Sequence, residues 1–170
     1  ARGMSNFYTD RPMMISHRGV TSIYPENTIE AYINSVEVGY NCIELDVLSS
    51  LDGEIYCSHN HELEKETSSR GYIHKMESTE LDDIKTGSYS HPENQKKIPR
   101  LDNVIKKLPN SIRLNIEIKF SNPFDFSTIN QLRKKIRKKK IKQPILISSF
   151  NPFIVFYARW FIPNVKIGYL

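Results

Sequence analysis

Short apolar runs alternate along this chain with longer segments whose apolar residues recur at helical spacing, and that alternation restricts the fold more than any other feature. The runs are 13–16 (MMIS), 42–48 (CIELDVL), 54–58 (EIYCS), 112–118 (IRLNIEI), 145–148 (ILIS) and 165–170 (VKIGYL). Between them, 27–38 places Ile29, Ala31, Tyr32 and Val36 on one helical face, behind Asn27 or Thr28 as cap. Segment 100–108 predicts a second helix, and 126–140 a third, with Phe126, Ile129, Leu132 and Ile136 aligned. Segment 152–162 opens with Pro152 at a first helical position after Asn151 as cap. Strand and helix in succession predict parallel strands joined by crossovers. The polar stretch 60–97 is expected to be an inserted loop with one helical turn around 78–85.

Strand parity sharpens the fold class. Alternate residues of a strand share a face. Glu44 and Asp46 therefore share one face, against Ile43, Leu45 and Val47. Asn115, Glu117 and Lys119 share another, against Leu114, Ile116 and Ile118; Ile55, Cys57 and His59 form a third set. Each strand starts apolar and gains ionisable groups towards its C-terminal end. A doubly wound sheet would carry a glycine-rich first turn, which is missing here. A (β/α)8 TIM barrel, with chemistry at its C-terminal mouth, fits better. A closed barrel takes roughly 250 residues, so this chain of 170 is expected to hold about six of the eight strands. The expected organisation is a 1–10 extension, with Ala1-Arg2-Gly3 ahead of Met4 as an expression remnant, and a C-terminally incomplete barrel over 11–170.

The strand ends bring His17-Arg18, Glu44 and Asp46, His59-Asn60, and Glu117 and Lys119 to one mouth. Carboxylates in that number suit a hard divalent ion, Mg²⁺ or Ca²⁺. Zinc would be expected to recruit the histidines. Arg18 and Lys119 suit an anionic substrate, the arginine fork matching phosphate oxygens. Two histidines remain for acid–base work near neutral pH. A phosphodiester needs this set: charge neutralisation on its non-bridging oxygens, a base for the nucleophile and an acid for the leaving alkoxide.

The order of motifs resembles that of the glycerophosphodiester phosphodiesterases. They are His17-Arg18-Gly19, Pro25-Glu26-Asn27-Thr28, Glu44-x-Asp46, and His59 with Leu63 and Thr67 behind it. Ile98-Pro99-x-Leu101, Glu117-Ile118-Lys119 and Ser148-Ser149-Phe150 continue the series. The resemblance implies a divalent cation on Glu44, Asp46 and Glu117, an acid–base pair of His17 and His59, and phosphate contacts from Arg18 and Lys119. It also implies attack by an adjacent glycerol hydroxyl on phosphorus, giving a free alcohol and a cyclic phosphate that water opens to glycerol 3-phosphate. Asn60 stands where that family usually has Asp, and with Glu26 it takes a supporting role. Ser148 and Ser149 are expected to orient substrate or lysine. The alternatives in view are a lipid phosphodiesterase of lysophospholipase D type and a non-catalytic binding or oligomeric module.

Other features bound partners and compartment. The formal charge of +5 is concentrated in 133–142, which holds eight Lys or Arg and no acid. Ile136 and Ile141 continue the apolar face of that helix, so its charges are expected to be a solvated side and not a nucleic-acid surface. Segment 152–162 is apolar almost all round and is expected to contact a membrane surface or a second copy of the chain. Cys42 and Cys57 are expected to be buried, reduced thiols. His61 is expected in a loop, and His74 and His91 exposed. No secretory signal or run of ~20 apolar residues is visible, so a cytoplasmic enzyme acting on a small-molecule or lipid phosphodiester is expected.

Overall fold

The computed structural model describes residues 7–8 and 12–170. Ala1-Arg2-Gly3, expected to be a remnant, and most of the expected 1–10 extension lie outside the described residues. Phe7 of that extension is buried, and its carbonyl accepts a 2.6 Å hydrogen bond from Arg113 Nε.

The elements in chain order are β1 (Ile15–His17), α1 (Ile29–Glu37), β2 (Cys42–Ser49), β3 (Ile55–Cys57), α2 (Ser78–Leu81), β4 (Lys85–Thr86), β5 (Lys96–Lys97), α3 (Leu101–Lys107), β6 (Arg113–Ile118), α4 (Ser127–Arg137), β7 (Ile145–Ser149), α5 (Pro152–Phe161) and β8 (Lys166–Tyr169). Five strands run parallel in the order β1-β2-β6-β7-β8. This is the sequential strand order of a (β/α)8 barrel. The central strand β2 is buried along all eight residues, as a parallel strand covered on both faces must be.

The sheet holds six strands, as expected, but one differs in direction. β3 is antiparallel to β2, with Val47 opposite Cys57 and Ser49 opposite Ile55. A tight turn at Leu51-Asp52-Gly53 makes a hairpin where a crossover was expected, so five strands belong to the parallel series. The arm beyond β3 consequently doubles back along β2 towards the Asp46 level, where Ser58 N donates to the Asp46 carbonyl.

Caps fall where side-chain chemistry puts them. Thr28, not Asn27, caps α1 by accepting from Ala31 N, and Asn151 caps α5 by accepting from Phe153 N. Gly19, at φ +90°, lies against α1; a Cβ there would come within 2.7 Å of the Ala31 side chain. That close approach is why β1 must leave through glycine.

The 60–97 segment is more organised than a loop. Leu48, Tyr56, Leu63, Ile73, Leu81 and Ile98 form a hydrophobic cluster of their own beneath it. Arg100 forks onto Asp82 at 2.8 and 2.7 Å, tying this cap to the start of α3. The two thiols are free and buried, and burial pushes Cys42 up to about 11 and Cys57 to about 12. Ile136 on α4 and Ile141 beyond it pack against the core; Lys134, Arg137, Lys138, Lys139 and Lys140 are exposed, whereas Lys135 bonds Asp102 at 2.8 Å and Arg133 lies over the Phe161 ring. On α5, Ile154 and Ala158 are buried, whereas Phe156 and Trp160 are exposed. Among the described residues no helix is long and apolar enough to cross a membrane.

Candidate active site

The parity of β2 and β6, with Asp46 opposite Glu117 in register, aims three carboxylates at one point. Glu44, Asp46 and Glu117 are all buried, and one ligand oxygen from each lies within 4.8 Å of the others. Burying like charges so close is unfavourable unless cations or a metal ion answer them. Two cations do so in part. Lys119 Nζ lies 3.1 Å from Asp46 Oδ1 and also contacts Glu117 Oε1. Arg18 bridges Asp46 Oδ2 at 3.1 Å and Glu26 Oε2 at 3.0 Å.

Glu44 is left with the weakest support. Arg18 N donates to Glu44 Oε2 at 3.2 Å, and His17 Nε2 lies 3.7 Å from the same oxygen. Glu44 Oε1 is buried with no hydrogen-bond partner. Burial first, then repulsion from Asp46 and Glu117, pushes the Glu44 carboxyl up to about 8, against the opposing pull of Arg18. An unpartnered buried oxygen among three carboxylates is the donor set that a hard divalent cation would satisfy. The arrangement fits Mg²⁺ or Ca²⁺ and offers zinc no nitrogen or sulfur inside the triad.

The histidines sit around this centre. His17 ends β1, with its side chain 70% exposed at the mouth. His59 arrives on the arm that doubles back from β3, and its Nδ1 lies 3.3 Å from Asn60 Oδ1. One cleft is lined by His59 together with Glu26 and Asn27, and a larger cavity by His59 together with Phe120 and Ser121, which follow Lys119.

The profile of the Glycerophosphoryl diester phosphodiesterase family matches residues 17–170. The chain belongs to the glycerophosphodiester phosphodiesterase family. A glycerophosphodiester phosphodiesterase of Caldanaerobacter subterraneus is 28% identical over 162 residues, covering 94% of this chain and 67% of that protein. A phosphodiesterase of Oleispira antarctica, solved in complex with the product sn-glycerol-3-phosphate, superposes with a TM-score of 0.86 at 30% identity. That match covers 97% of this chain and 68% of the other. A glycerophosphodiester phosphodiesterase of Thermotoga maritima gives 0.72 at 26% identity, covering 95% of this chain and 63% of that one. The chain spans about two thirds of the length of these relatives. Its five parallel strands are thus five of a TIM barrel.

Within this phosphodiesterase fold, Glu44, Asp46, Glu117, Arg18, Lys119 and His17 form one contiguous group, with Glu26 bracing Arg18. Other expectations need correction. Of the two roles expected for Ser148 and Ser149, the one on lysine is overturned: Ser148 Oγ bonds Asn115 Oδ1 at 2.8 Å and Ser149 Oγ donates to the Ile118 carbonyl at 3.0 Å. His74 is half-buried against His61, with their Nδ1 atoms 3.3 Å apart. His91 is likewise half-buried, its Nε2 lying 2.9 Å from the Thr21 carbonyl.

Of the two residues expected to cap α1, Thr28 does so and Asn27 does something else. At φ +55°, it turns its amide onto Asp46: Nδ2 donates to Asp46 Oδ2 at 2.9 Å. Its Oδ1 accepts from Asp46 N at 3.2 Å and from Tyr32 OH at 2.7 Å. The signal was present in the Asn-Thr pair, because Asn tolerates the left-handed region while Thr makes the cap. Asn27→Ala is expected to lower unfolding free energy by about 2–4 kcal/mol, from two stranded buried partners and left-handed strain. Asn27→Gly, which removes the strain alone, should recover only about 1 kcal/mol of that in urea denaturation. Full recovery by Gly would remove the role of the amide.

Proposed function

We propose that this chain hydrolyses glycerophosphodiesters to glycerol 3-phosphate and an alcohol, with one divalent cation, Mg²⁺ or Ca²⁺, on Glu44, Asp46 and Glu117. The observation that carries this reading is the buried triad with its unpartnered Glu44 oxygen, flanked by Arg18, Lys119 and His17.

When bound there, such a cation would neutralise charge on the phosphodiester's non-bridging oxygens. Arg18 and Lys119 complete that neutralisation from the protein, each already held by an acid and so poised with little reorganisation. His17 and His59 form the acid–base pair: one takes the proton of the attacking glycerol hydroxyl while the other gives a proton to the departing alcohol, and with roles reversed the pair adds water to the cyclic phosphate, opening it to glycerol 3-phosphate. Asn60 acts through His59. In the tautomer protonated at Nδ1, the Asn60 amide oxygen 3.3 Å away accepts from Nδ1–H, which leaves Nε2 as the working nitrogen. An Asn serves that purpose without the charge of the usual Asp.

Incubation with glycerophosphoglycerol and either ion, with glycerol 3-phosphate measured by a coupled dehydrogenase, tests the reading. Product should form with the ion, stop on adding chelator and resume when the ion is restored. Absence of glycerol 3-phosphate with both ions would sink it.

A further inference from the structure

Beside His59 lies a cavity of about 440 Å³ that the chemistry above leaves unassigned. Its walls come from the 60–97 cap on one side and from Phe120 and Ser121 on the other. His59 and Asn60 form part of the lining, so a substituent extending from the phosphodiester past His59 enters it.

The charges of this cavity are unequal. Lys65 and Lys75 supply two ammonium groups, and Glu62 is the single carboxylate, 3.6 Å from Lys65. Asp125, near the two imidazoles, is engaged by the hydroxyls of Ser121 and Ser127. Tyr72 is the tyrosine whose ring could hold a quaternary ammonium by cation–π attraction. The Lys75 ammonium already sits over that ring, 5.1 Å from its centroid, and the His74 ring packs against it at 5.5 Å. His61 and His74 meet edge to face. Burial holds both below the usual histidine range, so near pH 7 both rings are neutral; His61 Nε2 is buried and its Nδ1 faces His74, which leaves the Nε2 side of His74 for a hydroxyl group.

We propose that this cavity receives the alcohol portion of the substrate and selects an anionic, hydroxyl-rich alcohol, a polyol phosphate, over one bearing a quaternary ammonium. The proposal rests on the phosphodiesterase reading above and deepens it. Lys65 and Lys75 attract the anion, His74 bonds a hydroxyl while His61 holds its ring, and the covered Tyr72 face denies choline its aromatic seat.

The test compares kcat/KM for glycerophosphoinositol 4-phosphate, glycerophosphocholine and the uncharged reference glycerophosphoglycerol. The anionic substrate should exceed the choline ester about tenfold or more at low salt, and the ratio should shrink as salt screens it. Lys65→Glu/Lys75→Glu should invert the ratio, each ester's kcat/KM being read relative to glycerophosphoglycerol in the same variant. Lys75→Ala, which bares Tyr72, should improve the choline ester a few-fold. Both lysines are exposed on the cap, so the variants should fold. Calorimetry with the free alcohols, inositol 4-phosphate against choline, reads the cavity without any turnover. An even preference in both formats, or a preference that the double variant leaves unmoved, would overturn the proposal. Selective binding of inositol phosphate without turnover of any ester would instead reject the hydrolytic reading and keep the cavity's selectivity.

Discussion

Glu44→Gln is expected to abolish glycerophosphodiester turnover, by about a thousandfold or more in kcat/KM, while making the metal-free protein more stable. The two effects have one origin. A carboxylate whose Oε1 is buried without a partner, beside Asp46 and Glu117, is poorly placed for the fold and well placed for a cation. Its pKa, pushed from 4.5 up to about 8, means the folded protein prefers Glu44 protonated. The stability that this group contributes is present below the unfolded value, and it is lost as pH rises through about 8. The metal-free wild type should therefore melt at progressively lower temperature between pH 5 and 8.5, and Glu44→Gln should flatten that slope. At pH 8 the variant should melt a few degrees higher, on the order of 1–3 kcal/mol. Added Mg²⁺ or Ca²⁺ should reverse the ranking by raising the melting temperature of the wild type alone. Melting curves with chelator and with ion, at three pH values, make the measurement. A variant that retains turnover, or that responds to the ion as the wild type does, would remove Glu44 from the cation site.

How far the sequence carries depends on the kind of information each residue holds. Glu44, Asp46 and Glu117 were legible because strand parity is a strict geometric rule, and a buried parallel strand has no reason to hold carboxylates except a site. The caps at Thr28 and Asn151 were legible because a short polar side chain before an apolar periodic run has one good use. The direction of β3 was not legible. Three apolar residues carry no sign of which way the strand runs, and only the Leu51-Asp52-Gly53 turn hinted at a hairpin. His59 was placed at the mouth by counting β3 as a parallel strand. It reaches the mouth because the arm beyond β3 doubles back over Asp46.

The organisation of the 60–97 cap was hidden for a different reason. Its apolar residues, Leu63, Ile73 and Leu81, are spaced too widely for any helical or strand period, and their partners Leu48, Tyr56 and Ile98 lie outside the segment. Long-range packing of this kind leaves no local pattern. The same holds for the Asn27–Asp46 bond and the His61–His74 contact, each between residues more than ten apart in the chain.

His17→Ala and His59→Ala are each expected to reduce kcat by about 10²–10⁴ with little change in stability or in cation affinity, the opposite pattern to Glu44→Gln. His17 has its side chain largely in solvent, with one long contact to Glu44, so its removal opens no cavity and strands no buried donor. His59 is half-buried, and Asn60 beside it can turn to water. Melting temperatures should stay within about 2–3 °C of the wild type. On the proposed pairing one proton is taken and another given within the same displacement, so the two losses should not add. The double variant should be about as slow as the slower single one. Asn60→Ala, which frees the His59 ring without removing it, should cost about tenfold in kcat and leave KM near its original value. Steady-state kinetics on glycerophosphoglycerol, paired with calorimetric titration of the divalent ion, separates these outcomes. Losses that multiply in the double variant would mean that the histidines act in separate steps. A loss of cation affinity in either single variant would move that histidine from proton transfer into the metal site.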